Sequence, residues 1–351
     1  MFLSRNMVAL NEKKIKKFLS ILLLIFMLIT TFSSCVVFDN SNTSDGDSVQ
    51  NQDSISTYDP LTFPKGVVFE ENSDPYTEGL IFKTVPDEEG YVVAGYEGPA
   101  KDVVIPKIYR GFCVVRILDD AFAKMRKLET VSIPDSVHYI GDRAFQACIY
   151  LKSVTISNGV TSIGEEAFDG CTGLTSITLP DGVTKIGRYA FRSCTSLAGI
   201  TIPDSVTSIG LGAFIGCHSL TSVTIPGSVS HIADGVFSSC IGLKSVTISD
   251  GVTSIGEGAF HYCIRLTSIT IPDGVTSIGE EAFNLCVGLK SITIPDSVTS
   301  IGSCAFELCY DLTEIVFGGT QEQWNEISKS YLWCGYCTGC PIRCTDGTIE
   351  S

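Results

Sequence analysis

From Leu151 onward, apolar and polar residues alternate in short bursts that return at one interval. Ser153-Val154-Thr155-Ile156 puts two apolar side chains on one face and two hydroxyls on the other, the period-two pattern of a half-buried strand. Ser157 follows where most copies carry proline, and Asn158-Gly159 supplies turn chemistry. Val160 and Ile163 are spaced to point inward on a return path, and Gly164 permits the next bend. Glu165-Glu166-Ala167-Phe168 has room for only a single helical turn before Leu174 opens the next strand. The cycle is 23 residues long: Ile133-Pro134-Asp135 returns as Leu179-Pro180-Asp181, Ile202-Pro203-Asp204, Ile271-Pro272-Asp273 and Ile294-Pro295-Asp296. A fixed period of this size predicts an α/β repeat solenoid, mostly β with short helical turns, in which each rung packs on its neighbours.

Two columns form the expected interior. Phenylalanine recurs without a gap from Phe122 through Phe145, Phe168, Phe191, Phe214, Phe237, Phe260, Phe283 and Phe306. Strands about 4.8 Å apart would bring those rings within stacking range, so the series reads as a core spine. Three residues after each of the last eight comes a cysteine, from Cys148 to Cys309. These thiols read as small buried hydrophobes, with disulfides between adjacent rungs as the alternative in an exported protein.

The outward strand face carries one chemistry per rung. Thr155, Thr178, Thr201, Thr224, Thr247, Thr270 and Thr293 form a ladder beside a serine column, edged by Lys152, Lys244 and Lys290. Threonine is a good strand former, which alone accounts for much of the pattern. The same hydroxyl array is also the candidate binding surface for protein or glycan.

Composition narrows the partners. The chain of 351 residues has a net charge of -15, although its first 35 residues carry Arg5, Lys13, Lys14, Lys16 and Lys17 against Glu12 alone. The remainder is therefore more acidic still, which excludes nucleic acid and anionic surfaces as electrostatic partners. The lysine cluster, the apolar run from Phe18 to Phe32 and Ser33-Ser34-Cys35 read as an export leader starting at Met1 or Met7. It resembles a bacterial lipoprotein signal, and that resemblance implies cleavage before Cys35, acylation of its thiol and anchoring in the bilayer. Phe32 stands where the pattern usually has leucine. Asp39 to Asp59 is almost devoid of apolar side chains, too poor to offset its ordering entropy, and reads as a flexible tether.

Cys334, Cys337, Cys340 and Cys344 have the spacing of a bacterial iron–sulfur run. Export and the missing second cysteine group favour disulfides or plain thiols there, with four-thiolate zinc as a further alternative. Asp181 and Asp204, like Asp250, Asp273 and Asp296, stack into carboxylate columns. One carboxylate per rung falls short of a calcium shell and suits ordinary turn chemistry. Glu165-Glu166 and Glu280-Glu281 read as solvated bends. His138, His218, His231 and His261 occupy four different repeat positions. No nucleophile triad, phosphate loop or helical zinc motif appears, so the chain reads as non-catalytic and without a cofactor.

The consensus Leu-x-x-Val/Ile-x-Ile-Pro-x-x-Val-x-x-Ile-Gly-x-x-Ala-Phe-x-x-Cys, spanning Val103 to Phe317, resembles the BspA-like leucine-rich repeat. Gly90 to Val93, Val104-Ile105-Pro106 and Gly111 to Val114 resemble that family's irregular first unit, and Gly319 to Trp324 with Cys344 to Gly347 its ending. The resemblance implies a curved right-handed array on the surface of a host-associated microbe, adhering to host matrix or cell-surface protein or glycan. The expected organisation is a leader over 1–34, a tether over 35–60, an N-terminal cap over 61–114, repeats over 115–317 and a C-terminal cap over 318–351. A structural envelope spacer and a metal or redox protein using the terminal cysteines are the competing functions.

Overall fold

The computed structural model describes residues 74–85, 90–335 and 340–350. The chain divides into two units: Ile108–Cys113 groups with the segment that ends at Ser73, and Asp74–Lys107 groups with Val114–Ser351. Of the first unit the described part is a tight hairpin, with Ile108 opposite Cys113 and Tyr109 opposite Phe112. Arg110 and Gly111 turn it with φ of 49° and 81°, the pair of left-handed residues that two-residue hairpins favour.

The second unit is a β-solenoid. It opens with Leu80–Thr84 antiparallel to Tyr91–Tyr96, after which the rungs stack in parallel. Each rung contributes a longer strand such as Ser153–Ile156 and a two-residue strand such as Ser162–Ile163. Both series pair at the 23-residue offset: Val131 meets Val154, and Ile140 meets Ile163. Alternation does what the sequence pattern requires, since Val154 and Ile156 are buried while Thr155 is exposed.

The bend between rungs differs from the expected helical turn. Consecutive turns replace it, interrupted by left-handed residues such as Arg143, Ala147, Glu166 and Tyr189. These reversals aim successive amides along the solenoid axis. Phe145 N donates to Ala167 O and Phe168 N to Ala190 O, each at 2.7 Å. A helical turn would have used those amides internally and left the next rung's carbonyls without partners.

All nine phenylalanines of the spine are fully buried. Their rings stack nearly parallel, from 4.9 Å between Phe122 and Phe145 to 5.7 Å between Phe237 and Phe260. Tyr96 closes one end at 6.2 Å from Phe122. Trp333 closes the other, edge-on to Phe306 at 6.2 Å. The helix Gln321–Glu326 packs Trp324 against Phe317 at 5.1 Å. Its start is a reciprocal cap: Gln323 N donates to Thr320 Oγ1, and Thr320 N donates to Gln323 Oε1. Thr-x-x-Gln is the spacing of a capping box.

One seam interrupts the stack. The longer strands form one sheet up to Gly199–Thr201 and another from Ser222–Ile225, while the short strands break between Ser208–Ile209 and His231–Ile232. From Ile140 to Ile301 a glycine follows each of the other short strands, with Gly210 N donating to Ile186 O and Gly256 N to Ile232 O, and beyond them Ser330 N makes the same bond to Ile301 O. Ala233 takes that place at the seam, and among the described residues neither it nor Ser230 makes the equivalent bond to the preceding rung. Sterics at the repeat glycines single out its methyl group. A Cβ on Gly187 would lie 2.5 Å from the carbonyl carbon of Gly164, and one on Gly279 would lie 2.6 Å from that of Gly256. Ala233 carries such a methyl in the rung where the strand bonds part. The turn ladder still crosses the seam, with Phe214 N donating to Val236 O.

Candidate binding faces

The hydroxyl ladder lies where alternation places it. Thr155, Thr178, Thr201, Thr224, Thr247 and Thr270 are exposed and Thr293 is half-buried. Thr178 pairs with Thr201, Thr224 with Thr247 and Thr270 with Thr293, so the methyl and hydroxyl groups align along each sheet. The seam falls between Thr201 and Thr224 and divides the ladder into two arrays.

Its three edge lysines are not equivalent. Lys152 donates to Glu129 at 2.5 Å, and Lys101 reaches the same carboxylate at 2.7 Å. Those two ammonium groups hold Glu129 down at about 2. Lys244 and Lys290 are exposed and enter no ion pair among the described residues. As a free cation on this face, Lys152 therefore differs from the other two.

The cysteine column serves the core. All eight thiols are free and buried, and each Sγ donates to the carbonyl of a phenylalanine in the preceding rung, from 3.0 Å for Cys148 to 3.3 Å for Cys263. Burial pushes Cys148, Cys240 and Cys309 up to about 12, and raises Cys171, Cys194, Cys217, Cys263 and Cys286 well above the ordinary thiol range. A thiol held in that state is neither a nucleophile nor a ligand.

In the C-terminal cysteine run, Cys334 is disulfide-bonded, and a disulfide sulfur is no thiolate ligand. Cys340 is buried and Cys344 half-buried. Cys337 lies outside the described residues, as do Cys35, the export leader and the tether. Cys113 is also disulfide-bonded. Among the described residues no three potential ligands gather as a metal site.

The turn side carries the rung-specific chemistry that sequence reading treated as solvated bends. Arg192 grips Asp169 with both ends of its guanidinium, at 2.8 and 2.7 Å. Gln146 bridges Asp169 and Glu166, and Arg188 approaches Glu165 at 4.0 Å. Asp169 is one of two buried polar side chains among the described residues, 8% exposed. Reading each acid against the residue 23 positions on would have found these pairs, since Arg188 follows Glu165 and Arg192 follows Asp169 at that interval.

Comparison with known proteins agrees with the geometry. A family model described as the BspA type leucine rich repeat region matches residues 115–244 and 230–334, in six copies. The crystal structure of a T. pallidum leucine-rich repeat protein is similar at 30% identity, with a TM-score of 0.52 over 62% of this chain and 91% of that one. A leucine-rich repeat protein of Bacteroides ovatus is similar at 28% identity and a TM-score of 0.53, over 69% and 84% of the two chains. No curated protein matches. The family match takes in more than half of the sequence, including the whole buried cysteine column, and this chain belongs to the BspA-type leucine-rich repeat family.

Proposed function

We propose that this chain is a non-catalytic surface module that binds protein or glycan through its strand face and serves adhesion or host interaction. The observation that carries the reading is the in-register hydroxyl ladder, exposed over six rungs. Repeated equivalent groups suit many weak contacts in register, so affinity grows with rung number rather than resting on one residue. Lys244 and Lys290 add positive charge to that face in an acidic chain. In this reading the array is right-handed and curved, Cys35 is acylated, and the solenoid stands off the bilayer on its tether.

Two measurements test it. Binding of the full chain to immobilised matrix proteins and glycans is compared with a variant lacking Ser205 to Gly227, one complete period, and with the pair Lys244→Glu and Lys290→Glu. A partial loss on deletion and a salt-sensitive loss on charge reversal are expected. Parent-like binding by both variants sinks the strand-face assignment. Separately, Cys35→Ser should abolish fatty-acid labelling and move the chain out of the detergent phase; unchanged partitioning removes the anchor.

A further inference from the structure

On the turn side, one repeat position always adopts left-handed backbone. Lys124, Ala147, Gly170, Ser193, Gly216 and Ser239 fill it in the earlier rungs, and the apolar Tyr262, Leu285 and Leu308 fill it in the last three, with φ of 59° to 60°. A large side chain in that region costs on the order of 1 kcal/mol relative to glycine. Burial does not return it here: Tyr262 is 42% exposed, and Leu285 and Leu308 are only half-buried. Two residues further on, Ile264 and Val287 are half-buried and Tyr310 is 61% exposed. An apolar strip three rungs long thus faces outward at a position whose left-handed backbone every rung shares, and contiguous exposed apolar surface of this kind marks an interaction site.

Its surroundings are acidic and uncompensated. Glu257 and Glu280 occupy the same position on adjacent rungs, with Glu281 and Glu307 alongside. The cations of these rungs, Arg265 and Lys290, form no ion pair with any of them among the described residues. Beside Leu285, Asn284 is 6% exposed and its Oδ1 has no hydrogen-bond partner, while its Nδ2 donates to Glu307 at 3.4 Å. A buried acceptor without a donor among the described residues is costly, and here it lies directly beneath the strip.

We propose that this strip is a second docking surface, for a segment of a partner protein in which basic side chains alternate with apolar ones. The apolar residues would cover Tyr262, Leu285 and Leu308, and the basic ones would neutralise Glu280, Glu281 and their neighbours. A second copy of this chain does not suit the site, because its net charge of -15 opposes association through an acidic face. The surface is separate from the hydroxyl ladder, so it stands or falls independently of the strand-face reading.

The test uses fluorescence anisotropy with the full chain and a labelled synthetic peptide of alternating lysine and leucine. Leu285→Gly with Leu308→Gly removes the strip yet keeps a residue that the same position already accepts at Gly170 and Gly216, so folding is retained and checked by the thermal midpoint. That pair, and separately Glu280→Gln with Glu281→Gln, should each weaken binding by roughly tenfold or more. Asp204→Asn, which removes a charge elsewhere, should leave it unchanged. No binding by the parent, equal binding by parent and strip variants, or equal binding of a glutamate–leucine peptide would each overturn the proposal.

Discussion

Glu165-Glu166 and Glu280-Glu281 occupy the same two positions of the repeat, five periods apart. The first pair meets cations from the next rung, Arg188 at 4.0 Å and Arg192 at 3.9 Å. The second pair faces Ser303 and Glu307 at the corresponding places and meets no cation among the described residues. Beneath both, the phenylalanine spine is nearly identical, with 5.3 Å between Phe168 and Phe191 and 5.3 Å between Phe283 and Phe306. The lesson is a division of labour. The columns that set the rung are indifferent to location, whereas the turn positions are free to differ and so give each region its own surface chemistry.

The largest effect should be the one that ignores this division. Phe168→Ala and Phe283→Ala each remove a fully buried ring, and each should cost roughly 3 to 5 kcal/mol by denaturant unfolding. Similar losses on both sides of Ala233 would sustain the shared spine. A loss confined to one side would show that the two regions are packed differently, whatever their ring spacings.

Next come the glycines after the short strands. Gly279→Ala places a methyl 2.6 Å from the carbonyl carbon of Gly256, and overpacking of that kind costs about 1 to 3 kcal/mol. Gly187→Ala should cost a similar amount in the N-terminal rungs. If both variants unfold at the parent's denaturant midpoint, steric exclusion is the wrong account of the seam.

Arg192→Met tests the difference itself. It leaves Asp169, 8% exposed, with only Gln146 as a side-chain partner, and should destabilise by roughly 1 to 3 kcal/mol. Glu281→Gln removes an acid that meets no cation among the described residues and should change stability by less than about 0.5 kcal/mol. Equal effects in thermal unfolding would erase the contrast between the two turn faces.

How far the sequence reveals this molecule follows from which interactions repeat. The strand alternation, the phenylalanine spine and the buried cysteines are legible because each is a column at a fixed interval. The helical turn expected at Glu165 to Phe168 is not what forms, because local propensity is overridden by the demand that amides there serve the next rung. The helix Gln321–Glu326 escapes periodicity since it occurs once, although its capping box is written in Thr320 and Gln323. Lys152 illustrates a third kind of miss. Its column marks an edge cation, but Glu129 one period earlier holds it, and only a comparison between rungs exposes the pair.

The smallest expected effect concerns the seam. Ala233 is the alanine in a glycine column, and the two sheets part beside it. If its methyl group is the cause, Ala233→Gly should let the rung settle onto Ile209 and form the bond that Gly210 N makes to Ile186 O. Global stability should hardly register this. Glycine adds unfolded-state entropy worth roughly 0.5 to 1 kcal/mol, which opposes the new backbone bonds of similar size. The informative measurement is hydrogen exchange at residues 230 and 233, whose amides lack the rung-to-rung bond among the described residues. In the variant both should exchange more slowly, while amides in the turn ladder, which already crosses the seam through Phe214 and Val236, keep the parent's rates. Unchanged exchange at both positions would mean that Ser230, His231 or Val236, which also depart from the neighbouring rungs, hold the seam open instead.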